Sequence, residues 1–344
     1  MQEMREADES PDDTAGLRRR FARDGYLLIR NLIGRNIAGA IAEDALSTMR
    51  DGRYVAGEGE SHHAVELPEG AAERTLSGAL QRIELLHELG WHPRIRELAT
   101  ALLGPRAYVQ PKKVLEALFP ARLGDESLHV HRDNLGGPWC RDMITFRVAL
   151  REATQETGSV AVLGGSHDYH HCSPRAAGDV PNSHCRLPEY ASPEWVVPTL
   201  SPGDVVLFHC YTAHKVLSNG SDRVQLSAEY RWQSDDHPVH ISALLPYRYF
   251  SDHPDIPGWN ELTVGWRDPR WCAYPDTVET IYSRWPDGMS GSVPPSQLFA
   301  LSPHAREHWR PEIVESDLYR TTPFELPGTF RAGQPPMPSF NSGR

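Results

Sequence analysis

Residues 129–134, HVHRDN, place metal-capable side chains at alternate positions. In an extended strand, residues two apart point to the same side of the sheet and lie roughly 6–7 Å apart along the backbone. His131 and Asp133 could therefore present an imidazole and a carboxylate to one first-row transition metal. Such a site needs a third ligand from elsewhere in the chain. Without a third ligand, residues 129–134 would be an exposed strand face, with His129 as a polar neighbour.

His214 is the best candidate for the third ligand. It follows the apolar run 204–211, DVVLFHCY, which begins at the turn 202–204, PGD. A second turn, Asn219-Gly220, leads into a return strand, so His214 lies on a segment that can neighbour the first pair. Two histidines and one carboxylate on one face of an octahedral metal leave three positions open, as in non-haem Fe(II) oxygenases.

Hydrophobic periodicity predicts helices before these residues and strands around them. Apolar residues at steps of three and four predict a helix over 35–50 and two helices within 76–103. After Gly104-Pro105, short β-rich runs alternate with turns, which favours an antiparallel sandwich or barrel. Those runs are 107–119, 128–133, 143–150, 158–167, 204–211, 214–217 and 224–233, and further helices are predicted over 275–285 and 303–318.

Composition narrows the class of protein. The formal net charge of −11 provides no basic surface for nucleic acid, and no apolar run is long enough to span a bilayer. The five cysteines contain no CxxC pair, and an odd number without a signal peptide indicates reduced thiols. We therefore expect a cytoplasmic protein with no nucleic-acid or membrane partner, and the sequence leaves its oligomeric state open.

Three further segments carry motifs: 21–33, FARDGYLLIRNLI; 143–167, which ends in GGSH; and 202–223, which begins PGDVVLFHCYTAH. With the HxD motif between the first two, they resemble the phytanoyl-CoA dioxygenase family of Fe(II)/2-oxoglutarate oxygenases over roughly residues 17–235. The resemblance implies a mainly β protein with flanking helices and a double-stranded β-helix (jelly-roll, cupin-like) core. It also implies that His131, Asp133 and His214 bind Fe(II), with 2-oxoglutarate as cosubstrate and O2 as oxidant.

Two positions depart from the family pattern. The arginine that usually holds the far carboxylate of 2-oxoglutarate is expected about eleven residues after the distal histidine, where this chain has Gln225. An amide can donate hydrogen bonds but lacks the charged, bidentate fork of a guanidinium. The hydroxyl residue often found two after the distal histidine is replaced by Val216.

Three interpretations of the cosubstrate site are open. The cation could be Arg223 on the same strand, it could be Arg147 on another strand, or 2-oxoglutarate could bind weakly or not at all. Thr145 occupies a position where the family often has a small hydroxyl that contacts the cosubstrate. Arg231 lies roughly 20 Å along an extended strand from Gln225, which we take as too far to replace the missing arginine.

Substrate contacts are predicted close to the metal motif. Asn134 and Trp139 follow it directly, and Arg147, which shares a face with Thr145 by parity, needs an anionic partner if it points inward. We expect hydroxylation, desaturation or cyclisation of a small molecule, with specialised metabolism as the setting. The alternatives are an iron oxygenase that does not use 2-oxoglutarate and a non-catalytic jelly-roll that binds a small molecule.

The same patterns divide the chain into three regions. We predict a disordered N terminus over residues 1–14, one oxygenase domain over 15–250, and an extension over 251–344 that packs on the core.

Overall fold

Five antiparallel strands form the larger of two β-sheets in the computed structural model. In spatial order they are β2 (Tyr26–Ile29), β9 (Val205–His209), β6 (Ile144–Ala149), β11 (Gln225–Ser234) and β5 (Ala107–Leu118). The structure describes residues 1–7, 13–57, 62–66, 68–69, 71–121, 130–133, 142–168, 195–240, 243–244, 246, 259–275, 278, 280–283, 298–301 and 329–330.

A smaller sheet faces the first. Its strands, in spatial order, are β1 (Gln2–Glu3), β8 (Trp195–Val197), β7 (Val160–Leu163) and β10 (His214–Val216). Val162 of β7 packs in one buried cluster with Leu28 of β2 and Phe208 of β9, so the two sheets enclose a shared interior. Two facing sheets with helices outside them confirm the predicted mainly β fold with flanking helices.

The helices cover the outer face of the five-stranded sheet. They are α1 (Thr14–Asp24), α2 (Arg35–Asp51), α3 (Ala71–Leu80), α4 (Glu84–Leu89) and α5 (Pro93–Leu103). Later in the chain, α6 (Trp259–Leu262) contacts His87 of α4 through Trp259. Ile41 of α2 and Ile95 of α5 share the largest buried apolar cluster with Phe146 and Leu207 of the sheet. The region 76–103, where two helices are predicted, contains parts of three, because the chain also breaks between Leu80 and Glu84.

Strict alternation along β6 and β11 separates an apolar face from a polar one. Ile144, Phe146 and Val148 of β6 lie in the helix-side cluster, as do Leu226, Ala228, Tyr230 and Trp232 of β11. The intervening residues must point to the interior between the sheets, because strand side chains alternate in direction. Those interior positions are Thr145 and Arg147 on β6, and Gln225, Ser227, Glu229 and Arg231 on β11.

Short strands complete the described chain. They are β3 (Val55–Ala56), β4 (His63–Ala64), β12 (Val239–His240), β13 (Tyr274–Pro275), β14 (Thr280–Ser283), β15 (Leu298–Leu301) and β16 (Thr329–Phe330). The helix predicted over 275–285 is wrong at 280–283, where β14 pairs with β12 and β15; the apolar residues there serve a strand. Residues 303–318 lie outside the described residues. None of the helices in the described part of the chain is long and apolar enough to cross a membrane.

The N terminus differs from the predicted disorder over residues 1–7. β1 pairs in parallel with β8, and Met4 is 2% exposed within the cluster between the sheets. The backbone N–H of Ala7 also donates to the carbonyl oxygen of Leu28 at 3.0 Å. The buried side chain of Met4 and the pairing of β1 with β8 are enough to fix residues 1–7, although their average composition is polar and acidic.

Candidate metal centre

His131 and His214 lie side by side because their backbones pair. The N–H of each residue donates to the carbonyl oxygen of the other at 2.9 Å, and the ring centroids are 4.2 Å apart. This isolated antiparallel bridge extends the smaller sheet at the start of β10. The predicted strand over 128–133 is reduced, within the described residues 130–133, to this bridge, and Asp133 lies at a bend.

The segment that carries His214 is anchored by two motifs from elsewhere in the sequence. The N–H of Ala213 donates to the Ser166 hydroxyl at 2.8 Å, and the Thr212 hydroxyl donates to the carbonyl oxygen of Gly25 at 2.8 Å. His167, next in the GGSH run, places its Nε2 3.0 Å from the carbonyl oxygen of Ala22 in α1. The Asp24-Gly25 turn and the GGSH loop therefore position the histidine while remaining outside the site.

A hydrogen bond and burial leave Nε2 of His214 available to bind a metal. Its Nδ1 lies 2.9 Å from the carbonyl oxygen of Thr212, which can only accept, so Nδ1 carries the proton and the Nε2 lone pair is available. Burial lowers the pKa of His214 to about 4, although the nearby Asp133 carboxylate opposes this shift. The imidazole is therefore neutral at pH 7, as metal ligation requires.

Asp133 is held through both carboxylate oxygens. Its Oδ2 accepts a hydrogen bond from the Thr145 hydroxyl, and its Oδ1 accepts one from Arg231 Nη2 at 2.9 Å. Burial alone would raise the pKa of this carboxyl group. The positive charge of Arg231, the two histidines and the Thr145 hydroxyl outweigh burial and lower the pKa, so the group is a carboxylate.

These three residues fit a first-row transition metal. One nitrogen or oxygen from each of His131, Asp133 and His214 lies within 4.8 Å of the others, and Asp133 Oδ1 is 3.9 Å from His214 Nε2. His131 is half-buried, while the other two residues are buried. Two imidazoles and one carboxylate on one side of an ion leave its opposite side for exogenous ligands.

Comparison with known proteins identifies the family. Residues 21–225, more than half of the chain, match the profile of the phytanoyl-CoA dioxygenase (PhyH) family. The chain belongs to this family. The match confirms the enzyme class that the motifs predict, a dioxygenase of the Fe(II)/2-oxoglutarate type.

Two known proteins are similar to this PhyH-family chain. It is 27% identical to the ectoine dioxygenase of Stutzerimonas stutzeri (strain A1501) over 235 residues, 62% of this chain and 74% of that relative. It is also similar to the solved structure of the epimerase SnoN in complex with Fe3+, alpha-ketoglutarate and nogalamycin RO. That comparison gives a TM-score of 0.50 at 22% identity and covers 67% of this chain and 86% of the other. The likeness to SnoN shows a shared fold and confirms the predicted jelly-roll core.

The interior of this PhyH-family barrel is charged beyond the metal residues. Arg147, 3% exposed, lies between two carboxylates: Nη1 donates to Glu229 at 2.6 Å, and Nη2 donates to Glu116. Glu116 also accepts from the Ser227 hydroxyl at 3.3 Å. The anionic partner that an inward Arg147 requires is therefore supplied by the protein itself.

Lys112 adds another positive charge near the metal residues. The pairing of β5 with β11 shifts register between Tyr230 and Trp232, opposite the segment of β5 that contains Pro111. Proline has no N–H to donate, but β5 is an edge strand, where a proline is tolerated. Burial, and then Arg231, lower the pKa of Lys112 to about 8, while Asp133 opposes the shift. Lys112 is thus still largely protonated at pH 7.

The other predicted site residues have different surroundings. Thr145 is fully buried and contacts Asp133. Arg223 is exposed in the turn before β11, which begins only at Gln225. Gln225 is buried, but its Nε2 donates to the carbonyl oxygen of its own neighbour Leu226 at 3.0 Å. The predictions for His129, Asn134 and Trp139 lie outside the described residues.

Arg231 contacts Asp133 directly. It pairs with Thr145 across β11 and β6, so the metal-binding residues lie at this end of β11 and Gln225 lies at the other. That Arg231 is too far from position 225 to replace the missing arginine stays a prediction. Side chains alternate in direction along a strand, so Glu229 and Arg231 of β11 both point inward. This alternation is the feature of the sequence that could have predicted both residues near the site.

Proposed function

We propose that this protein is an Fe(II)- and 2-oxoglutarate-dependent oxygenase that oxidises a C–H bond of a small molecule. The observation that carries the proposal is the convergence of His131, Asp133 and His214 between the two sheets of a PhyH-family fold. Iron, 2-oxoglutarate and O2 together would supply an oxidant strong enough for an unactivated C–H bond. We expect hydroxylation, and desaturation or cyclisation would need the same three metal-binding residues.

The residues of the chain have separate roles in this proposal. His131, Asp133 and His214 would hold the metal, and Thr145 would fix the orientation of the Asp133 carboxylate. The buried position of Asp133 and His214 excludes bulk water from one side of the metal, which limits unproductive reactions. Contacts of Asn134 and Trp139 with substrate stay a prediction.

Arg223 and Gln225 stay predictions as contacts of the far carboxylate of 2-oxoglutarate. Arg223 is exposed, and the Gln225 amide nitrogen, which has two N–H groups, donates to a backbone carbonyl. Arg147 is buried but already bridges Glu116 and Glu229. It could bind a further anion only if one of these carboxylates released it.

Anaerobic reconstitution with Fe(II), followed by titration with 2-oxoglutarate, tests the proposal. We expect the weak visible charge-transfer band of the chelate to appear and saturate, and succinate to form after O2 is admitted. H214A should lose both signals, because it removes a ligand atom. H237A, at a half-buried histidine near Asp142 at the surface, should retain both. Retention of the band by H214A would refute the assigned ligand set.

The surroundings of Gln225 favour a second candidate, an iron oxygenase that does not use 2-oxoglutarate. Within the described residues, its Oε1 is buried and accepts no hydrogen bond, and Val216 on β10 offers no hydroxyl. With no cation at position 225, such a site would suit a substrate that chelates iron itself. Iron binding without a 2-oxoglutarate band, together with O2 consumption that depends on substrate alone, would support this candidate.

The expected location in the cytoplasm stays a prediction. Cys210 and Cys272 are buried and form no disulfide, which is compatible with a reducing compartment. We propose a small molecule as the only reaction partner besides the cosubstrates.

A further inference from the structure

The two oxygens of the Asp133 carboxylate accept hydrogen bonds from donors of different charge. Oδ2 accepts from the neutral Thr145 hydroxyl, and Oδ1 accepts from Nη2 of the Arg231 guanidinium at 2.9 Å. Oδ1 is also the oxygen that lies 3.9 Å from His214 Nε2. An ion bound between Asp133 and His214 would therefore bind to Oδ1, the oxygen that already accepts from Arg231.

The register of the larger sheet brings Arg231 to this oxygen. Arg231 of β11 lies opposite Thr145 of β6, and both side chains point between the sheets. The Asp133 and Arg231 side chains are 3% and 18% exposed, and Nη2 lies further from Glu229, at 3.5 Å. A charge-assisted hydrogen bond is strong where water is largely excluded. A carboxylate oxygen has two lone pairs, so Oδ1 can keep this bond when it also binds a metal.

A hydrogen bond to a metal-binding oxygen changes how strongly that oxygen binds each oxidation state. The Arg231 guanidinium withdraws electron density from Oδ1, which makes the carboxylate a weaker electron donor to the ion. Fe(III) gains more from an anionic ligand than Fe(II) does, because its charge is higher. Hydrogen bonds to the groups that bind iron are one of the means by which proteins set its reduction potential. The contact between Arg231 and Asp133 should therefore favour Fe(II).

We propose that Arg231 is a positioning residue that acts through Asp133, holding Oδ1 in place and raising the Fe(III)/Fe(II) potential of bound iron. The inference rests on the proposed function, because that function requires iron at this site. A higher potential keeps iron in the ferrous form, which is the form that oxygenases with two histidines and one carboxylate use. Arg231 thus protects the enzyme from oxidation of its metal.

Three substitutions of Arg231 separate its charge from its hydrogen bond. R231K keeps a cationic donor, R231Q keeps a neutral donor, and R231M removes both the charge and the donor. R106Q is the control, because Arg106 is an exposed arginine that pairs with Asp235 and Asp236 before β5. Anaerobic redox titration of the iron-loaded proteins without 2-oxoglutarate measures the Fe(III)/Fe(II) potential of each.

We expect R231M to increase the ratio of the Fe(III) affinity to the Fe(II) affinity by about tenfold, which lowers the potential by about 59 mV. R231Q should lower it by a smaller amount, and R231K and R106Q should match the wild type. A purely structural role would change both affinities equally, so an unchanged potential in R231M and R231Q overturns the proposal. A decrease in R231K as large as in R231M also overturns it, because R231K keeps the cationic donor.

The charge-transfer band of the 2-oxoglutarate complex gives a second readout. Iron that is easier to oxidise absorbs at lower energy, so R231M and R231Q should shift the band to longer wavelength. A shift to shorter wavelength contradicts the proposal. A wild type that forms the band, with a potential that R231M and R231Q do not change, refutes only the role of Arg231.

A wild type that binds no iron would refute the proposed function as well, so the two failures are distinguishable. Thermal unfolding of each metal-free variant checks that the fold is intact. If R231M fails to fold, R231Q and R231K decide the question, because both keep a polar side chain beside Asp133.

Discussion

Thr145 holds one oxygen of the Asp133 carboxylate. Its hydroxyl donates to Oδ2, which leaves Oδ1 directed towards His214. We expect T145V, which keeps the shape of the side chain and removes the donor, to weaken Mn(II) binding by about ten- to a hundredfold, as is typical for residues that orient a ligand. T145S keeps the hydroxyl and should stay close to the wild type. If T145V bound Mn(II) as the wild type does, Thr145 would have no orienting role.

At the scale of single residues, the candidate metal-binding residues could be predicted from the sequence, and the charges around them could not. His131, Asp133 and His214 each lie in a short motif whose spacing limits where the side chain can point. Arg231 belongs to no motif, and its contact with Asp133 depends on which end of β11 meets Asp133. That depends on strand register, which is set by contacts far apart in the sequence.

The turn after α1 shows how an element outside the site controls it. Gly25 adopts φ 75°, and a Cβ there would lie 2.3 Å from His167 Nδ1 and 2.9 Å from the Thr212 hydroxyl oxygen. G25A should therefore lower the free energy of unfolding by more than the 1–2 kcal/mol that a left-handed alanine costs. It should also weaken Mn(II) binding, because Thr212 leads directly into His214.

Gly265 provides the matched control for this turn. It has φ 88°, but a Cβ there would meet nothing within 4 Å, so G265A should cost only about 1–2 kcal/mol and leave Mn(II) binding unchanged. Chemical denaturation and Mn(II) titration of both variants measure the two effects. Equal losses of stability in G25A and G265A would show that the contact with His167 and Thr212 has no energetic weight.

At the same scale, periodicity located the main helices and strands, and its failures have a physical cause. β1 contains two residues and β14 contains four, too few for a period to be recognised. Such strands form because a neighbouring strand offers free backbone groups, as β8 does for β1. The sequence of the short strand alone does not contain that information.

At the scale of the whole molecule, Lys113 connects the sheet to the chain beyond it. On the helix-side face of β5, its buried Nζ donates to the carbonyl oxygens of Gln110 at 2.8 Å and Trp271 at 3.2 Å. Trp271 belongs to a 3-10 turn, Pro269–Cys272, and its indole N–H also reaches Glu84 of α4 at 3.2 Å. Residues 269–272 thus contact β5 and α4. The predicted extension over 251–344 that packs on the core stays a prediction.

This buried lysine should make the stability of the fold depend on pH. Burial lowers the pKa of Lys113 from 10.5 to about 7, with a small opposing effect of Cys272. Between these values the unfolded chain binds more protons than the folded protein, so the contribution of Lys113 to stability increases as pH rises from about 7 to 10.5 and is smallest below 7. K113M removes the group that titrates. The difference in unfolding free energy, wild type minus K113M, should therefore increase with pH in this window.

Denaturation at several pH values between 7 and 10 measures this difference, with K215M as the control for the loss of one lysine from a half-exposed position. A constant difference between wild type and K113M would show that Lys113 keeps its proton in the folded protein. Its two carbonyl partners would then have to stabilise a buried ammonium that has no carboxylate among its hydrogen-bond partners in the described part of the chain. The pH dependence therefore shows whether the Lys113 side chain that joins residues 269–272 to β5 is a neutral amine or an ammonium ion.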